Sequence, residues 1–115
     1  MIIDCHTRLW SDTRQLGDAT AKRLAGGPPK YWAEPCGDAA AHGRAMSCVD
    51  ASLVLGHRAE LVGAHVPNEL IADFVSRDPE HRIGIAGIDP LAETVDQDFA
   101  MAMNLGFAGI TVSPS

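Results

Sequence analysis

The sequence predicts an α/β fold, a partial (β/α)8 TIM barrel of about four parallel strands with alternating helices. Three observations predict it. Four short apolar, β-branched runs stand out: "MIID" near residue 2, "ASLVLG" near 51, "RIGIAGI" near 82 and "FAGITV" near 107. Helical stretches lie between them, and that alternation implies a largely parallel sheet. Strands two to four recur about every 25 to 32 residues, the length of one βα unit in an eight-unit barrel. With 115 residues the chain holds about half of such a barrel, as a single domain over 1–115. The competing architecture is a small doubly wound sheet, which needs helices on both faces.

Each element has a local reason. In "IIDCHTRLW" strand alternation places Asp4, His6 and Arg8 on one face and Ile3, Cys5, Thr7 and Leu9 on the other. Residues 11–37 break the rhythm. They are rich in Gly, Pro and Ala, with Tyr31 and Trp32 inside, and read as a long loop that packs over something or as an insertion. "DAAAHGRAMSC" opens on Asp38, a natural helix N-cap. In "VPNELIADFVSRDP", Pro67 suits the first turn, and Leu70, Ile71, Phe74 and Val75 make an apolar stripe. Asp78-Pro79 ends that helix, since the residue before proline leaves helical geometry. In "DPLAETVDQDFAMAMNLGF", Val95, Phe99 and Met103 repeat every four residues, and Gly106 is a natural terminator.

Composition excludes several classes. The net charge is −6, from 9 Lys+Arg against 15 Asp+Glu, and no basic cluster offers a nucleic-acid footprint. No apolar run approaches the roughly 18 residues of a membrane span. The N-terminus lacks the basic and apolar regions of a signal peptide, so a cytoplasmic setting is expected. Cys5, Cys36 and Cys48 match no zinc spacing and read as reduced core or loop thiols. Cys5 in particular is expected under the helices.

The motifs carry a family resemblance. "IIDCHTRLW" resembles the opening strand of the amidohydrolase-related family, metal-dependent hydrolases and decarboxylases with a TIM-barrel fold, where it usually reads Asp-x-His-x-His. "VDASLVLG" is similar to the family's second strand, "VPNELIADFVSRDPEHRIGIAGIDP" to its next helix and third strand, and "MNLGFAGITVSP" to its fourth. The resemblance implies cleavage of C–N or C–O bonds, or decarboxylation, of a small carbonyl or carboxylate substrate. It implies a divalent metal, zinc above all, with His6 in a ligand position. Arg8 stands where the family has the second histidine. A guanidinium has five donors, no lone pair and a permanent charge, so it cannot ligate a metal and repels one nearby. A catalytic zinc wants three protein ligands, and the family's later ligand-bearing strands have no counterpart in these 115 residues. The chain alone is expected to be inactive.

The other candidates follow from position. Barrel sites gather at the C-terminal strand ends, where Arg8, His57, Asp89 and Thr111 with Ser113 would share one mouth. There Arg8, His57 and Asp89 would bind substrate. Arg8 would clamp a carboxylate or phosphate, or pair with Asp4 or Asp89. His6 would be a ligand, or a histidine bonded within the sheet. His65 and His57 would lie in or near a loop, His42 and His81 would be surface residues, and Met101 and Met103 would fill the core. Asn68 is expected to satisfy free amides of its helix's first turn. The alternative function is a non-catalytic half barrel, binding an anion through Arg8 or serving as an oligomerising module. A bare four-stranded sheet needs its edges covered, so a homo-oligomer or a complementing chain is the expected partner besides a small-molecule substrate. Two copies could close around a two-fold axis, although identical halves would not supply the later metal ligands.

Overall fold

The computed structural model describes residues 1–27 and 36–113. Tyr31 and Trp32 lie outside the described residues. Strands β1 (Ile3–Arg8), β2 (Ala51–Leu55), β5 (Arg82–Gly87) and β6 (Gly109–Thr111) form one parallel sheet in sequential order, β1-β2-β5-β6. A short antiparallel hairpin, β3 (His57–Ala59) and β4 (Ala64–Val66), follows β2 directly. The helices are α1 (Asp18–Ala25), α2 (Ala39–Ala45), α3 (Asn68–Ser76) and α4 (Val95–Asn104). This is the predicted alternation of strand and helix.

The core lies on one face of the sheet. Val54 of β2 packs with Leu9, Val66, Ile71 and Phe74, and Ala86 of β5 packs with Ile88 and Ala102. Paired residues of a parallel sheet share a face, so Thr7, Ser52, Val54, Gly84 and Ala86 all point toward the helices. Gly84 is required there, because a Cβ would come within 2.9 Å of the Phe107 ring. The other face carries Ile3, Ala51, Leu53, Leu55, Ile83 and Ile85. Its edge and central residues stay open: Ile3 is 47% and Ile83 41% exposed.

Three helical expectations hold in detail. Asp38 caps α2 by accepting from the Ala41 N–H at 2.8 Å. The α3 stripe is the buried side, with Ile71 and Phe74 inside and Leu70 and Val75 against the core. Gly106 ends α4 at φ +76, a left-handed conformation that favours glycine.

Other expectations are corrected. Residues 11–37 are not one long loop. Asp12 and Gln15 make a reciprocal cap on a 3-10 turn at Thr13–Gln15, and α1 follows. In β1 the register slips between Asp4 and Thr7, so the extra residue reverses the alternation. Asp4 and Thr7 therefore share the helix side, and Arg8 shares the opposite side with Ile3. Cys5 is exposed rather than buried, as are the free Cys36 and Cys48. Met101 and Met103 are 37% and 65% exposed and Phe99 is 48% exposed, so the core side of α4 is Asp98 and Ala102 instead. His42 is buried, not a surface residue, while His81 is exposed and paired with Asp78 at 2.8 Å.

Candidate functional site

The C-terminal ends of the parallel strands form one rim. Arg8 ends β1, His57 follows β2 by two residues, Asp89 follows β5 by two, and Thr111 ends β6. Close backbone contact makes this rim. A Cβ on Gly56 would run into the Gly87 N–H, and one on Gly87 would meet the His57 nitrogen. Glycine at both places lets the chain leave β2 directly against the end of β5. Asn68 locks the junction: its Oδ1 accepts from the Gly87 N–H at 2.8 Å and its Nδ2 donates to the Gly87 carbonyl at 3.0 Å. Asn68 thus satisfies β5 rather than its own helix's first turn.

Arg8 is half-buried, and its Nη1 donates to the Gly56 carbonyl at a long 3.5 Å. Neither Asp4 nor Asp89 pairs with it. By contrast Arg14, Arg58, Arg77 and Arg82 each have a carboxylate within ion-pair distance. Burial pulls the Arg8 guanidinium below its usual value. A desolvated cation of this kind is improved by any anion that can reach it.

His57 lies beside it, on the hairpin rather than in a loop. Burial first and then the Arg8 charge push the His57 imidazole below its usual value, so at neutral pH the ring is uncharged. His65 is on the middle of β4 and exposed.

Asp89 reaches the same rim but is already engaged. Its Oδ2 accepts from the Glu60 N–H at 2.7 Å and its Oδ1 from the Leu91 N–H at 2.9 Å. These backbone bonds hold its carboxyl below the usual range. Asp89 fixes the hairpin to the β5 end and shapes the rim, in keeping with its place before Pro90.

Sequence reasoning missed Arg58. Its Nη1 pairs with Asp98 at 2.6 Å, and its Nη2 reaches Glu60 at 2.8 Å and Thr94 Oγ1 at 3.0 Å. Thr94 in turn donates to Asp98 at 2.8 Å. The network ties the hairpin to the start of α4 behind the rim. The one available signal was Asp98 interrupting an otherwise apolar helix face.

His6 and Arg8 also border a cleft of about 270 Å³ between the β1 edge and α2, together with Asp4, Thr7 and His42. His6 is exposed, and its backbone N–H donates to Asp4 Oδ1 at 2.9 Å. Among the described residues no three His, Cys, Asp or Glu side chains converge closely enough to hold a metal ion. Among these residues His6 lacks the companions a zinc site requires, and Arg8 sits in the same cleft. The described residues do not fit a metal centre.

Comparison with family models, with curated proteins and with solved structures found no match. Among the described residues no helix is long and apolar enough to cross a membrane.

Proposed function

We propose that this chain is the N-terminal half of an amidohydrolase-like barrel whose rim binds a small carboxylate through Arg8. One observation carries the reading: Arg8 is a half-buried guanidinium at a strand's C-terminal end, held among the described residues by a single long bond to a carbonyl. The planar fork suits a carboxylate's two oxygens. The neutral His57 ring beside it offers one further donor or acceptor without repelling the ligand. Asp89 contributes by holding the hairpin in place rather than by touching the ligand. The metal-dependent hydrolysis or decarboxylation that the family resemblance implies would need ligands this set of residues does not bring together. A reducing cytoplasm suits the three free, exposed thiols.

The test is titration with acetate and benzoate, followed by NMR of the Arg8 side chain. Binding is expected in the millimolar range or better and weakened at least about tenfold by Arg8→Gln, the scale of one lost charge-assisted bond. Arg77→Gln, which breaks an exposed pair with Asp73, should leave it unchanged. Equal binding by wild type and Arg8→Gln would refute the assignment.

A further inference from the structure

We propose that the bare face of the sheet is an interface with a second copy of this chain, the two sheets closing into one eight-stranded barrel around a two-fold axis. The inference rests on the half-barrel reading above, but not on the Arg8 site.

The strand order makes closure possible. All four strands run parallel and in sequence, so one edge of the sheet is β1 and the other is β6. A two-fold axis along the strands keeps every strand direction. It brings β6 of one copy beside β1 of the other as a parallel pair, twice. Both edges then vanish together. An axis across the strands would set them antiparallel and leave edges open.

The chemistry of the face fits a barrel interior. Ile3, Leu53, Leu55, Ile83 and Ile85 are the branched aliphatic residues that fill such interiors in layers, and none of them is charged. Arg8 is the one charged residue paired on this side, and it stands at the rim, where a barrel opens to solvent.

The exposed area also matches. The chain exposes 7078 Å², whereas a compact monomer of 12.2 kDa would expose about 6,100 Å². The excess of nearly 1,000 Å² is close to the roughly 800 Å² that each partner buries in a stable interface. The extents of 39 × 36 × 20 Å describe the same thing as a shape, a slab of one sheet and one helix layer.

The experiment is sedimentation equilibrium of the wild-type chain, joined to hydrogen exchange at two protein concentrations. A dimer is expected. So is at least tenfold slower exchange of amides in both β1 and β6 at the higher concentration. Ile83→Lys should give a monomer with unchanged circular dichroism, while Leu91→Lys, at an exposed site off this face, should remain dimeric. A wild-type monomer at tens of micromolar would overturn the proposal. So would protection at only one edge, or open-ended association, since either means the sheets do not close. If Ile83→Lys fails to fold, the wild-type exchange pattern still decides. Acetate binding by a monomeric chain would show that the dimer had failed and the Arg8 site had not.

Discussion

The two faces of the sheet obey the same strand alternation and have opposite fates. On the helix side Val54, Ile71 and Ala86 are completely buried, and Phe74 nearly so. On the other side Ile3 and Ile83 keep 47% and 41% of their surface in water. The side chains are equally apolar, so the difference comes from topology. Parallel strands connected in sequence send every crossover helix to one side. An apolar side chain is thus not sufficient for burial. The contrast gives the largest expected effect. Ile71→Ala should cost about 3 to 4 kcal/mol in urea denaturation, with lost burial and a cavity acting together. Ile83→Ala should cost within about 0.5 kcal/mol at low protein concentration, like other surface changes. In the proposed dimer its cost should grow with concentration, because association would bury the exposed part of the side chain. An Ile83→Ala penalty as large as that of Ile71→Ala in dilute solution would mean the second face is already covered within the monomer.

A second contrast sets apart two arginines, Arg8 at the rim and Arg58 behind it. Arg58 is enclosed by Asp98, Glu60 and Thr94, and the bond from Glu60 and the charge of Asp98 raise its value above the usual one. Arg8, with no carboxylate in ion-pair distance among the described residues, is displaced the other way by burial. One cation is satisfied by carboxylates of the fold, and the other is the one proposed above to take a ligand. Removing Asp98 leaves the buried Arg58 with only the exposed Glu60 as counter-charge, so Asp98→Ala should cost about 3 kcal/mol. Thermal denaturation with and without 1 M salt checks it, because a buried pair responds weakly to screening. A loss under about 0.5 kcal/mol would place the pair among ordinary surface contacts.

These contrasts also explain what could be read from the sequence. Asp38, the Ile71–Phe74 stripe and Gly106 were legible because each acts through its own neighbours in the chain. The order of strands was legible because helix and strand signals alternate. The slip in β1 carries no glycine or proline to announce it, and it moved Thr7 to the helix side and Arg8 away from Asp4. The α4 stripe failed for a long-range reason: Arg58, some forty residues earlier, draws Asp98 inward and turns Phe99 and Met103 out. Phe99, Met103 and Ile110 border a groove of about 220 Å³ at the β6 edge instead. His42 was hidden in the same way, since its partner Thr7 is on another element. The positions of Arg8 and His57 at the strand ends were legible from the strand pattern, while the engagement of Asp89 by two backbone amides needed the fold.

His42 supplies the smallest expected effect, and one that separates the covered face from the open one by pH. The Thr7 hydroxyl donates to the Leu53 carbonyl at 3.0 Å, so its oxygen accepts from His42 Nε2–H at 2.9 Å. That fixes the neutral ring's single proton on Nε2 and leaves the buried Nδ1 without a hydrogen-bond partner among the described residues. Protonation would place a second, unpaired N–H there. Burial, and then the Arg82 charge, hold the imidazole below its usual value, against a weaker pull from Asp4. The unfolded chain therefore takes up the proton first, near pH 6.5. Stability from this group is present above that pH and is lost as pH falls through the folded value. His57, also depressed, acts in the same direction. His81, raised by Asp78, acts in the opposite one, but it is exposed and its pair is screened. Urea denaturation at pH 7.5 and 5.5 should show the wild type weakening with acid. His42→Gln, whose amide can still donate to Thr7, should weaken less over the same interval, even where it starts lower. Equal changes in the two proteins would mean that the buried ring accepts its proton without cost, and that Nδ1 has found an acceptor in solution.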